Sequence, residues 1–304
     1  MNPLVSISCI TYNHAPYIRQ CLDGFMMQQT NFAFEVLIHD DASTDGTTEI
    51  IKEYEAKYPD IIKPIYEEEN QWVKGRRGSA VFNFPRAKGK YIALCEGDDY
   101  WTDPLKLQKQ VDFLESNPEF VLSTHYYYTY RQEQNSFYDI APSSITGSQV
   151  YDLCDYISYK HWYTQPLTSL FRSSALSVFK NKQFKYTKDV SLFYMLLTRG
   201  KGYLHNEVMG VYRVHNQGVW SGANRQKRIA DDLKVLWTIY EVEKTDSSAT
   251  YIYNFLMQTG YLGVSFFLKN TYLYFSVLRI LYKYYGVEAL RVFFHSTNYR
   301  KRKN

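Results

Sequence analysis

The chain is short of several features that fix other folds from outside. Its 304 residues hold four cysteines, Cys9, Cys21, Cys95 and Cys154. None stands in a C-x-x-C pair or at zinc-finger spacing, which points away from a metal finger. Cys9 and Cys95 lie inside apolar runs and are expected to be buried thiols. Net charge is also small: 35 Lys and Arg against 31 Asp and Glu leave +4, too little to argue for a nucleic-acid partner. Long apolar runs are missing. The longest uncharged stretch, "YIYNFLMQTGYLGVSFFL" (251–268), carries Asn254, Gln258, Thr259 and two glycines, which suits a core or amphipathic helix better than a membrane span. No apolar leader precedes "PLVSISCI", so a reducing, cytoplasmic setting is expected. Internal repeats and low-complexity segments are absent.

What is present is globular: 45% hydrophobic and 22% charged residues, and enough length for one large domain or a domain with an appendage. Thirty tyrosines suit sugar-stacking surfaces and membrane interfaces, and they also fill cores. The closing run Arg300, Lys301, Arg302 and Lys303 reads either as a solvated tail or as a contact for the anionic inner face of a membrane.

Strand and helix signals alternate through the first hundred residues. "LVSISCI" (4–10), "EVLIH" (35–39), "IIKPIY" (61–66) and "YIALC" (91–95) read as strands. Between them, "YIRQCLDGFMMQQ" puts Ile18, Leu22, Phe25 and Met26 on one helical face, and "TTEIIKEYEAKY" reads as a helix capped by Ser43 or Thr44 and closed by Pro59. Strands separated by helices of this length predict a mainly parallel sheet flanked by helices. Ligands of such sheets bind beyond the carboxyl ends of the strands. Thr11-Tyr12-Asn13, Asp40-Asp41 and Glu96-Asp98-Asp99 each follow a predicted strand, so three polar clusters converge on one rim.

Asn13 and the Asp41 turn also serve as ordinary cap and turn residues. The acidic triplet in "ALCEGDDYW" is harder to account for structurally. Carboxylates at that range repel, and no Lys or Arg adjoins them. A hard divalent cation shared with phosphate oxygens would compensate them. Tyr100 and Trp101 are expected to lead into a helix begun at Pro104. Downstream, Arg213 and His215 alternate on "GVYRVH" and share a face, Arg213 suiting a phosphate partner and His215 a metal or phosphate contact. Asp189 opens "VSLFYMLLTRG", where a carboxylate is by default an N-cap. "HWYTQPLTSLFR" places His161, Trp162 and Tyr163 between the acidic motifs, and Trp220 follows in the "NQGVWSG" loop. Each of these aromatics suits either sugar stacking or packing. Residues 225–298 read as helices.

"VSISCITYNHAPYIRQCLDG", "VLIHDDASTDGTTEII", "GKYIALCEGDDYW", "KDVSLFYMLLTRGKGYLH" and "VYRVHNQGVWS" resemble, in order, the motifs of family 2 glycosyltransferases with a GT-A fold, over roughly residues 4–222. The resemblance implies an inverting transfer of a sugar from a nucleoside diphosphate sugar, most readily a UDP-sugar, to a saccharide or lipid-linked acceptor hydroxyl, in cell-surface polysaccharide biosynthesis. It implies a divalent cofactor, Mn2+ or Mg2+. It places Thr11, Tyr12, Asn13 and Asp41 around the nucleoside, Asp98 on ribose or metal, and Asp99 and His215 on the metal. Arg213 then faces the diphosphate, Asp189 is the general base, and His161, Trp162 and Trp220 lie on the acceptor side. Residues 1–222 would form the transferase domain (donor half 1–103, acceptor half 104–222), with 223–304 a helical C-terminal extension and peripheral membrane contact a further implication.

The sequence departs from the family at several points. Ile10 replaces a usual Pro, Ala42 a frequent Gly, Glu96 the first Asp of D-x-D, and Lys188 the Glu before Asp189. The family's Arg-Asn pair is not evident, although "GRRGSAVFNFPRAKG" offers Arg76, Arg77, Asn83 and Arg86. A nucleotidyltransferase would want a Gly-rich basic loop after the first strand, which "TYNHAP" lacks. A non-catalytic glycan-binding or scaffold protein on the same fold is the reading from a different class. It requires that Asp98 and Asp189 be dispensable.

Overall fold

A computed structural model describes residues 2–76, 78–158, 162–179, 188–216, 218 and 225–259, with isolated positions at 279, 282, 283, 286 and 287. The chain divides into two compact units. The first comprises 1–153, 161–181 and 192–222, the second 154–160, 182–191 and 223–304. The second unit thus takes in two short segments that a linear division at 222 assigns to the first.

The first unit opens with β1 (Val5–Thr11), α1 (Ile18–Met26), β2 (Phe34–Asp40), α2 (Thr47–Lys57), β3 (Ile62–Tyr66), the single turn α3 (Ser79–Phe82) and β4 (Tyr91–Leu94). β3, β2, β1 and β4 are neighbours and parallel. Val5, Ile7 and Cys9 of β1 and Val36 and Ile38 of β2 are wholly buried, as a sheet covered on both faces requires. Ile18, Cys21, Leu22 and Phe25 form the buried stripe of α1. Neither Ser43 nor Thr44 caps α2. Gly46 stands at its N-cap with φ 101°, and Asp45 Oδ1 accepts the Thr47 amide at 3.1 Å.

Beyond β4 the sheet becomes mixed. Tyr100 and Trp101 do not run into the next helix. They form β5 (Tyr100–Trp101), antiparallel to β10 (Lys201–Val214), and α4 starts later (Lys106–Ser116). β6 (Phe120–Arg131) pairs parallel with β10 and antiparallel with β7 (Ser136–Ala141). β8 (Gln149–Tyr151) and β9 (Leu170–Arg172) bring the strands among the described residues to ten, in the order β3-β2-β1-β4-β9-β6-β10-β5 with β7 and β8 off that path. Indole Nε1 of Trp101 donates to the Leu167 carbonyl at 2.8 Å, which anchors β5 in the core.

Helix α5 (Leu153–Ile157) follows β8, and α6 (Asp189–Leu197) precedes β10. Within the second unit, α7 (Arg225–Glu243) and α8 (Asp246–Thr259) are the described part of the helical region. The basic run at 300–303 and residues 260–268 lie outside the described residues. Among the described residues no helix is long and apolar enough to cross a membrane.

Asn83 and Arg86 bind the strands together. Asn83 Nδ2 donates to Ser8 Oγ (2.9 Å) and to the carbonyls of Cys9 (3.2 Å) and Leu37 (2.9 Å). Arg86 donates to the carbonyls of Ile38 and Lys63 and to Asn83 Oδ1. The second half of "GRRGSAVFNFPRAKG" is thus a lattice across β1, β2 and β3.

Candidate active site

The loop after β1 and the turn after β2 are laced together, and that lacing sets the site. The Asn13 amide donates to Ser43 Oγ (2.9 Å), and Asn13 Oδ1 accepts the Thr44 amide (2.9 Å). The His14 amide donates to Thr47 Oγ1 (2.8 Å) and the Ala15 amide to Asp45 Oδ2 (2.9 Å). Asp40 accepts from Ser43 and Thr48 and closes the turn. Asn13 and Ala42 adopt φ of 54° and 62°, the left-handed region that Asn tolerates and Ala does not favour. These loops leave a groove of about 430 Å³ lined by Tyr12, Asn13, His14, Ala15, Pro16 and Asp45, with the Tyr12 ring exposed.

The acidic turn after β4 reaches the same place. Gly97 lies so close to β1 that a Cβ there would stand 2.6 Å from Thr11 Oγ1, so the turn needs glycine for close approach. Beyond it the two aspartates take different environments. Asp98 Oδ2 is 3.1 Å from His215 Nε2 and 3.8 Å from His14 Nε2. Burial alone would raise its pKa, but the His215 hydrogen bond and the charges of both imidazoles hold it below the usual carboxylate range. Asp99 is buried, and its Oδ1 accepts the Arg213 amide at 2.8 Å. Burial, then the charge of Asp98, pushes Asp99 well above the ordinary carboxylate range.

His14, Asp98 and His215 present ligand atoms within 4.8 Å of one another. Two ligands on one transition ion about 2.1 Å away sit roughly 3.0–3.5 Å apart, so small side-chain adjustments would complete a site. Asp98 Oδ1 and His14 Nδ1 are buried without a protein hydrogen-bond partner, as expected where a ligand is to be received. The donor set therefore fits a divalent cation. Asp99, placed on the metal by the sequence resemblance, turns Oδ1 to the backbone of β10 and is not one of the three residues that converge here.

Arg213 is likewise built in. Nε donates to the Asp98 carbonyl (2.9 Å), one terminal nitrogen to Gln132 Oε1 and the other to Gln20 Oε1, each at 2.6 Å. The rings of Tyr17, Tyr100 and Tyr130 surround the guanidinium. It clamps the acidic turn from β10 in this structure. Asp41 accepts the amides of Gln71 (2.6 Å) and Trp72 (3.1 Å), and Thr11 is buried beneath the turn.

Of the acceptor-side residues, Trp162 is exposed and its Nε1 lies 3.3 Å from Gln165 Oε1. Neighbouring Tyr163 is buried, stacked on Tyr151 at 4.5 Å, which is packing. His161 and Trp220 lie outside the described residues. Asp189 belongs to the second unit, where Oδ1 accepts the Val190 amide at 2.9 Å and burial raises the carboxyl above its ordinary range. His14 is the site residue that sequence reasoning passes over. Its only signal is a histidine beside Asn13, and a lone loop histidine carries no meaning until the end of β10 is known to lie next to it.

The family model for Glycosyl transferase family 2 matches residues 6–184. Uncharacterized protein Rv1520 of Mycobacterium tuberculosis is 50% identical over 121 residues, which is 40% of this chain and 34% of that relative. The chain thus matches only about a third of the length of that mycobacterial protein. The UDP-Glc:alpha-D-GlcNAc-diphosphoundecaprenol beta-1,3-glucosyltransferase WfaP of Escherichia coli is 28% identical over 239 residues, 78% of this chain and 86% of WfaP. The crystal structure of S. aureus TarS 1-349 in complex with UDP-GlcNAc superposes with a TM-score of 0.61 at 17% identity, covering 96% of this chain and 81% of that one. At that identity the likeness establishes the fold. With a family match over more than half its length, the mixed ten-stranded sheet is a GT-A-like fold, and the chain belongs to glycosyl transferase family 2.

Proposed function

We propose that the protein is an inverting glycosyltransferase that moves a sugar from a nucleoside diphosphate sugar to an acceptor hydroxyl, with a divalent cation held by Asp98, His215 and His14. The observation that carries this is the convergence of one carboxylate and two imidazoles, with Asp98 Oδ1 and His14 Nδ1 unpartnered, beside the Tyr12–Asp45 groove. A bound cation would stabilise the negative charge that gathers on the departing diphosphate. The remaining roles fall to the chain itself. Arg213 and Asp99 hold the acidic turn, so the backbone that carries Asp98 is fixed and only side chains need adjust. Tyr12 offers an exposed ring to a base, and Asn13 and Asp45 line the groove for the sugar-phosphate portion.

Inversion requires a base that takes the proton of the acceptor hydroxyl as that oxygen attacks the anomeric carbon. Asp189 is our candidate, and its elevated pKa suits a proton acceptor better than an ordinary surface carboxylate would. A UDP-sugar is the favoured donor and a lipid-linked saccharide the favoured acceptor, in surface-polysaccharide assembly. WfaP is named for both substrate types, which supports this choice. Work at the inner face of a membrane would follow from such an acceptor.

A screen of UDP-glucose, UDP-GlcNAc and GDP-mannose, with Mn2+ or with EDTA, tests the reading. Donor hydrolysis or binding that needs Mn2+ and disappears in Asp98→Asn is expected. If no donor is turned over or bound with any ion, the enzyme reading fails and a glycan-binding role on the same fold takes its place. Asp189→Asn should retain donor binding and lose transfer. Full transfer by that variant would remove only the base assignment.

A further inference from the structure

Lys188 directly precedes Asp189 in this chain, and an ammonium adjoining a base would ordinarily pair with it and weaken it. The structure sends the lysine elsewhere. Lys188 Nζ donates to Asp232 Oδ1 on α7 at 2.9 Å. The Asp189 carboxylate is turned to its own helix and accepts the Val190 amide at 2.9 Å. The divergence is fixed from both ends of this short segment. The Lys188 amide donates to Ser191 Oγ (3.0 Å), and that hydroxyl in turn donates to the Lys188 carbonyl (2.7 Å), so the residue before α6 is locked as its cap. All of these groups belong to the second unit.

We infer that Asp232 is a positioning residue: its carboxylate takes up the Lys188 ammonium and keeps a cation from pairing with Asp189. The acid-base inventory around Asp189 agrees. Among the described residues, the groups on the adjoining elements are Lys188 before α6, Asp232 with Asp231 beside it on α7, and Tyr156 of α5, whose hydroxyl reaches the Val190 carbonyl at 3.5 Å. Burial is the foremost influence on Asp189 and raises it, with Lys188 acting only as a lesser, opposing charge. Burial raises Asp232 too, against the pull of Lys188 and with Asp189 adding to the rise. The pair of carboxylates therefore shares one ammonium, and geometry assigns it to Asp232. The helical segment of residues 225–243 thereby contributes to the reaction by regulating the charge on a residue it does not replace.

Asp232 matters to catalysis only if Asp189 is the base proposed above, so the test reads Asp189 directly as well as through activity. The full-length protein, labelled with 13C at aspartate carboxyls, is titrated by NMR, and the Asp189 resonance is assigned by its loss in Asp189→Asn. In Asp232→Asn the Asp189 midpoint should move to lower pH, because the Lys188 ammonium then acts on Asp189 without the competing Asp232 carboxylate. Asp232→Glu should keep the wild-type midpoint. The double variant Asp232→Asn with Lys188→Met should return toward it, since the unbalanced ammonium is gone. The acid limb of the Mn2+-dependent donor turnover should follow the same order. An unchanged midpoint in folded Asp232→Asn overturns the inference, and so does a double variant that stays as low as the single one. If the midpoints move as expected while Asp189→Asn retains full transfer, the charge device stands and the base assignment falls.

Discussion

At the scale of single residues, two neighbouring aspartates of one motif do different work, and one hydrogen bond separates them. Asp99 accepts the Arg213 amide, while Asp98 faces two imidazoles. Asp98→Asn should therefore fold normally and lose Mn2+ binding by at least tenfold in calorimetry. Asp99→Asn should lower the melting temperature instead, through the frame. Ala42 illustrates a residue at odds with its backbone. Its φ of 62° costs a non-glycine residue roughly 1–2 kcal/mol, whereas a glycine costs about 0.4–1 kcal/mol in unfolded-state entropy. Strain wins, so Ala42→Gly should raise stability by up to about 1 kcal/mol in urea unfolding. Departures such as Ala42 and Lys188 are visible in the sequence, but their consequences are not. Both depend on φ or on a partner 44 positions away.

At the scale of elements, the parallel half was legible because each strand is an apolar run bounded by turn residues, and each intervening helix repeats its apolar face at helical spacing. The mixed half was not. β5 is two residues long and is defined only by pairing with Gly210 and Val211, so no local pattern could separate it from a loop entering α4. The same holds for "FNFPR", which carries no periodicity, yet the two amide hydrogens of its Asn83 are shared among three acceptors on β1 and β2. Asn83→Ala would leave those acceptors buried and unmatched, a cost of about 2–3 kcal/mol. Chemical denaturation should show that loss with an unchanged slope. A variant within 0.5 kcal/mol of wild type would refute the strut.

At the scale of the molecule, the buried ionisable groups set a pH profile. His125 and His205 are buried, and burial drives both below their usual range, His205 to about 4 against 6.5. Between those values the unfolded chain binds more protons at these two sites than the folded one, so their contribution to stability falls as pH drops through that window. The raised carboxyls of Asp99, Asp189 and Asp232 act in the opposite sense. Lys106 is completely buried beside Gln110 Oε1 and the Trp101 ring. Burial lowers it to about 7 from 10.5, so stability should rise with pH from about 7 toward 10. Above 10 the trend reverses, because Tyr54 is raised to about 12 and Tyr127 and Tyr212 are raised too; the unfolded chain then loses its phenolic protons first. Melting temperatures from pH 4 to 11 check this shape, and Lys106→Met should flatten the rise between 7 and 10. The histidine part is isolated by comparing wild type with His205→Gln, whose profile should lose some of the rise between pH 4 and 7; identical slopes in the two proteins would contradict a neutral buried His205.

The sequence alone determined the alternation of strands and helices, the rim on which polar clusters gather, and the identity of the family, because these depend on local periodicity and on the order of motifs. It could not determine which carboxylate meets which partner. Two adjacent aspartates have the same local chemistry, and only the approach of β10 gives one an amide and the other a histidine. His14 stayed hidden for the same reason: His14 and His215 are 201 positions apart, and tertiary folding brings both beside Asp98.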